Sequence, residues 1–157
     1  MIEAECIINL KQATGYIQPY IELRNRYCEL LLTDTVNFAE TNEWLKQDNI
    51  EIRGIIRGSA LVGIGILFLN RAGEIAFFTE RGGLGHGNEL LAIIEGVAKE
   101  KGLREVWAWV LSDNMIAQRA FLKNSYRREE ETAKQYRGQT MKGFVFRKKL
   151  FRVIADE

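Results

Sequence analysis

Apolar positions along this chain change period several times, and each change marks an element. Residues 5–10 form a short apolar run of strand length. Pro19 fits the first position of a helix, where its missing N–H costs nothing. Tyr20, Leu23, Tyr27 and Leu30 or Leu31 then recur at helical spacing, with Arg24, Asn25 and Arg26 largely off the apolar face. Asn37 followed by Glu40 has the form of a capping box and opens a second short helix carrying Phe38, Trp44 and Leu45. Two β-like runs follow, residues 50–56 and 61–69, joined as a hairpin through Arg57-Gly58-Ser59-Ala60. Asn70-Arg71-Ala72-Gly73 is a turn into a further strand, Glu74 to Thr79.

A glycine-rich loop spans residues 82–87, and Leu90, Leu91, Ile94, Val97 and Ala98 mark an amphipathic helix stopped near Gly102. Residues 103–111 are apolar on both faces and read as a central strand, with Trp107 and Trp109 as core packing. Ile116, Ala117, Ala120 and Phe121 define one more short helix. Residues 126–136 and 141–151 close the chain as a hairpin around Arg137-Gly138-Gln139-Thr140. The order is β-α-α-β-β-β-α-β-α-β-β. It predicts a single α/β (α+β) domain over residues 1–157, built on a mixed, mostly antiparallel twisted sheet of about seven strands flanked by about four helices.

Composition narrows the function. Lysine plus arginine is 22 against 21 for aspartate plus glutamate, a net charge of +1. A nucleic-acid binder normally carries a basic surplus, so no nucleic-acid partner is expected. No apolar run approaches the ~18 residues of a membrane span, so no membrane partner is expected either. The acidic start, Met1-Ile2-Glu3-Ala4-Glu5, lacks the pattern of a secretory leader, and Cys6 and Cys28 lie in apolar segments without a partner motif. A cytoplasmic protein with two buried thiols and no metal is the expectation.

The loop Gly83-Leu84-Gly85-His86-Gly87 sits between a strand and a helix, where bare amides and a helix N-terminus suit a pyrophosphate. A P-loop would end in Gly-Lys-Ser/Thr, but this loop ends in Gly87-Asn88-Glu89. A dinucleotide fingerprint would need a third glycine where Asn88 stands, in an early parallel βαβ unit. Both are excluded by residues.

What remains resembles the GNAT superfamily of acyl-CoA-dependent N-acetyltransferases. Their first signature is Q/R-x-x-G-x-G/A followed by a Leu-Leu pair, and the chain reads Gly82-Gly83-Leu84-Gly85-His86-Gly87-Asn88-Glu89-Leu90-Leu91. Gly82 holds the Q/R place and Arg81 lies one residue early. The second signature is N-x-x-A-x-x-x-Y-x-x-x-G-F. Asn114 and Ala117 match it, Phe121 replaces the tyrosine, and Ser125-Tyr126 replaces Gly-Phe.

The resemblance implies acetyl-CoA as co-substrate, with its pyrophosphate on the amides of Gly83, Gly85, Gly87 and Asn88, in a cofactor-binding loop that also holds Gly82 and His86. Its pantetheine arm would lie along Phe77, Phe78 and Thr79 and meet Asn114 and Phe121. Glu74 is the first candidate for the base that deprotonates an amine, and Glu80 the second. Phe121 has no hydroxyl with which to protonate the leaving thiolate. Arg24-Asn25, with the later Trp44-Leu45, resembles members that acetylate nucleotide-linked amino sugars, which makes Arg24 and Asn25 candidate acceptor-binding residues. The rival readings are a protein N-terminal or small-amine acetyltransferase and a non-catalytic acyl-CoA sensor. The resemblance is open to a monomer or a homodimer.

Overall fold

The structure is a computed structural model, and it describes residues 5–80 and 86–151. Its centre is one seven-stranded sheet in the order β1-β2-β3-β4-β5-β7-β6. The first four strands are β1 (Glu5–Asn9), β2 (Ile50–Arg57), β3 (Ala60–Phe68) and β4 (Glu74–Thr79), joined antiparallel. β5 (Glu105–Leu111) runs parallel to β4 and antiparallel to β7 (Gln139–Lys149), which pairs with the edge strand β6 (Arg127–Tyr136).

Helices cover both faces. On one face lie α1 (Ile17–Arg26), the short α2 (Cys28–Leu31) and α3 (Phe38–Trp44); on the other lie α4 (His86–Glu100) and α5 (Met115–Lys123). Among the described residues two large clusters fill the layers, with a smaller third of Ile55, Val62 and Leu90 between β2, β3 and α4. Tyr20, Leu23, Ile52, Ile64 and Phe78 belong to the first, between α1 and the sheet. Leu91, Ile94, Val106, Phe121 and Phe146 belong to the second, under α4 and α5. Glycines at 63 and 65 let α4 settle onto β3: a Cβ on Gly65 would stand 2.7 Å from Ile94.

Several boundaries differ from the expected ones, each for a local reason. The first helix is two, because Tyr27 leaves the helical region (φ −112°, ψ 13°) and Leu32 ends the second piece in the left-handed region. Pro19 is the third helical residue rather than the first, still within the turn whose amides lack intrahelical partners. The last hairpin turns on Arg137 and Gly138 alone, both at positive φ, which returns Gln139 and Thr140 to the strand. Cys28 is buried, but Cys6 is exposed on the edge strand β1.

Candidate active site

β4 and β5 pair at a single position, Glu74 with Trp107, closed by the Trp107 amide donating to the Gly73 carbonyl at 3.2 Å. Beyond it the two strands separate. The Glu80 amide donates to the Val62 carbonyl at 2.8 Å, which makes Gly63–Thr79 and Gly65–Phe77 non-hydrogen-bonded pairs of the β3–β4 ladder. The amides of Phe77 and Thr79 therefore turn away from β3 and into the opening. The same reasoning on the Ser112 amide, which donates to the Lys142 carbonyl, turns the Trp109 backbone toward the opening from the other side. Sheet hydrogen-bonding groups are thus presented to a gap within a sheet, where polar groups left dry would be costly.

A cavity of about 460 Å³ runs through this gap. Tyr20, Trp44 and Phe68 wall it on the α1 and α3 side, and Asn114, Ala117 and Phe121 on the α5 side. Alternation along β4 divides its side chains between these halves. Phe78 faces Tyr20 at 6.0 Å between ring centres, while Phe77 faces Phe121 at 5.3 Å. Tyr20 also stacks on Trp44 at 6.2 Å. Burial pushes the Tyr20 phenol up to about 12, with the adjacent Arg24 pulling the other way, so it stays a neutral wall near pH 7.

Glu74 borders the cavity, mostly buried, with Arg71 at 3.1 Å. The turn carrying Arg71 is held by the Trp107 indole, which donates to the Arg71 carbonyl at 2.8 Å. Glu80 is not part of the cavity wall; its carboxylate meets Arg26 at 3.6 Å. Asn114 borders the cavity and caps α5 by accepting from the Ala117 amide at 3.2 Å, and among the described residues its amide nitrogen makes no hydrogen bond.

Among the described residues α4 runs from His86, so Gly87 and Asn88 are helical where the loop pattern placed them in the loop. His86 is buried, and among the described residues neither ring nitrogen makes a hydrogen bond, although Nδ1 lies 3.8 Å from the Glu89 carboxylate. The Asn88 side-chain Oδ1 accepts from the Asn124 side-chain amide at 2.7 Å, tying α4 to the end of α5. A Cβ on Gly87 would stand 3.1 Å from the Phe77 ring, so backbone lies close to that strand. Gly82, Gly83 and Gly85 lie outside the described residues.

On the acceptor side the two expected residues separate. Arg24 borders the cavity and donates to the Asp34 carbonyl at 2.7 Å. Asn25 is outside the wall: its amide donates to the Val36 carbonyl and accepts from the Val36 amide, both at 3.0 Å. Together with Tyr136, whose hydroxyl donates to the Thr33 carbonyl at 3.0 Å, it pins the segment between α2 and α3 over the cavity. Asn25→Ala is expected to remove about 1–3 kcal/mol locally. Hydrogen exchange at the Val36 amide reads this, and unchanged protection there contradicts the pinning role.

Two wall residues, Trp109 and Lys134, had no place in the site read from sequence. Trp107 and Trp109 alternate on the half-buried face of β5, away from the α4 core, which is built instead from Val106, Ala108 and Val110. The only cue was their spacing of two, which puts both indoles on one face without saying which.

No protein-family model matches the sequence, and no curated protein matches it. Solved structures do match. A Salmonella typhimurium protein solved with its cofactor acetyl-CoA shares 15% identity at a TM-score of 0.83, over 98% of each chain. A GNAT-family acetyltransferase from Streptococcus pneumoniae shares 15% at 0.76, over 93% of this chain and 99% of that one. Spermidine N-acetyltransferase from Vibrio cholerae, solved with CoA and spermine, shares 11% at 0.78, over 93% and 95%. The fold is therefore that of the GNAT acetyltransferases. It agrees with the mixed sheet expected from the sequence, with five α-helices where four were read.

Proposed function

We propose that this chain transfers the acetyl group of acetyl-CoA to a primary amine. The observation that carries the reading is the opened β4–β5 edge, with the Phe77 and Thr79 amides turned away from β3 and Phe77 bordering a cavity that passes through the sheet. Acetyl-CoA bound along that edge supplies a thioester, from which an amine displaces the thiol directly.

The residues present suit such a ligand. An extended amide-bearing arm pairs with the free β4 amides as an added strand does. The Asn114 amide nitrogen, unbonded among the described residues, can donate to that arm. The amides at the described start of α4, those of Gly87 and Asn88 among them, suit a phosphate, and Gly82, Gly83 and Gly85 precede them in the sequence.

A carbonyl oxygen accepting from the Phe77 or Thr79 amide is held most strongly when it carries negative charge, which lowers the barrier to attack. The attacking amine must first lose a proton. Glu74 accepts it, and its place three residues before Phe77, about 10 Å along the strand, favours relay through water over direct contact. Glu80, paired with Arg26 away from the cavity, has no such path. Phe121 donates no proton, so the departing thiolate takes one from solvent.

For the acceptor, a nucleotide-linked amino sugar is the reading in view, supported by the Arg24 guanidinium among aromatic walls. Calorimetry with acetyl-CoA, then transfer to such sugars, polyamines and peptides, tests each level. Absence of acetyl-CoA binding overturns the whole reading, and a preference for polyamines or peptides overturns the sugar alone. Glu74→Gln is expected to lower kcat by about 10²-fold or more. An unchanged kcat removes Glu74 from the chemistry.

A further inference from the structure

The charges bordering the cavity are nearly all accounted for within the protein. Arg71 is paired with Glu74 at 3.1 Å, and Arg24 donates to the Asp34 carbonyl at 2.7 Å. Glu40 accepts from the Asn37 amide at 3.2 Å in the capping box of α3. Lys134 differs: among the described residues its ammonium has no hydrogen-bond acceptor. It is held instead 4.6 Å from the centre of the Trp109 ring.

That ring is itself fixed. Its Nε1 donates to Thr132 Oγ1 at 2.9 Å, and Gly143 on β7 leaves room for the indole to lie flat across the strand. Burial of Lys134 lowers its proton affinity, with Glu74 pulling the other way and Arg71 adding to the lowering. An ammonium held on an aromatic face at the cavity wall, with none of its N–H groups given to a protein acceptor among the described residues, is available to an incoming anion.

We infer that the acetyl acceptor carries a phosphate or carboxylate group and that Lys134, braced on Trp109, is the residue that binds it. The inference rests on the acetyl-transfer reading above. It places the anion at Lys134 on β6, beside Trp109 on β5, while the amine of the same molecule reaches the gap between β4 and β5. Recognition of this kind sets which amine is used more than how fast any amine reacts.

The test uses two matched pairs of amines as ligands and as substrates. Glucosamine 6-phosphate against glucosamine isolates phosphate, and phenylalanine against phenylalaninamide compares a carboxylate with its neutral amide. In the wild type the charged member of one pair is expected to bind about ten-fold more tightly or better, and which pair shows it names the anion. Lys134→Met should bring that ratio near unity through the charged member's Kd and KM, whereas Lys134→Arg should restore it. Thermal unfolding of both variants reports the fold.

A wild-type ratio of one or below in both pairs overturns the inference, as does a ratio that survives Lys134→Met in folded protein. Acetyl-CoA calorimetry on the wild type separates the two levels. Binding of acetyl-CoA with no anion preference defeats the Lys134 assignment alone. No acetyl-CoA binding defeats the transfer reading and this inference with it.

Discussion

Gly143→Ala is expected to destabilise the protein by about 2–3 kcal/mol, more than its single added methyl suggests. A glycine inside a strand is ordinarily a weakness, since it packs nothing and loses the most backbone freedom on folding. Here β7 has no room for anything larger. An added Cβ would press into the Trp109 indole and stand 2.5 Å from the Val110 carbonyl oxygen, which belongs to neighbouring backbone. Either β5 and β7 move apart or the indole leaves its place, and both disturb the cavity wall. Gly96→Ala is the matched control: nothing lies within 4 Å of its Cβ on α4, and alanine in a helix interior should stabilise by up to about 1 kcal/mol. Urea denaturation compares the two as shifts in midpoint at constant slope. A Gly143→Ala protein as stable as the wild type would show that the strand yields freely there.

The fold was legible because its elements keep to one period each. The β2–β3–β4 meander, α4 and α5 all showed their apolar faces in one dimension, and the cap residue Asn37 stands where its spacing put it. The site was less legible, because what makes it is the absence of pairing between two strands, and pairing is not written in either strand alone. Phe77 and Thr79 could be placed on β4, but the direction of their amides follows from the β3–β4 register. Asn25 looked free because its partner is Val36, beyond a helix end and a turn. Lys134 sits in a run of exposed charged residues on β6 that resembles ordinary solvated surface. Its meaning comes from Trp109, two strands away in the sheet order.

Phe121→Ala is expected to lose about 3 kcal/mol or more, and Phe121→Tyr close to none. The ring is almost wholly buried among Phe77 at 5.3 Å, Tyr126 at 4.9 Å and Phe146 at 5.6 Å. Tyr126 is fixed in turn by donating its hydroxyl to Glu95 at 2.9 Å, whose other oxygen takes Lys148 at 2.9 Å. Truncation at 121 therefore empties the centre of a braced aromatic cluster, and the cavity beside it would enlarge into the core. Tyrosine keeps the ring, and because Phe121 also borders the cavity, its hydroxyl has an open direction to take. That hydroxyl would stand where the GNAT pattern carries one, so acetyl transfer should be unchanged or modestly faster. Denaturation midpoints and initial rates with acetyl-CoA, measured on both variants, separate packing from chemistry. Should the tyrosine variant fold, keep its acetyl-CoA affinity and still lose most of its activity, the position must be apolar for catalysis itself, and solvent protonation of the thiolate would no longer account for the phenylalanine.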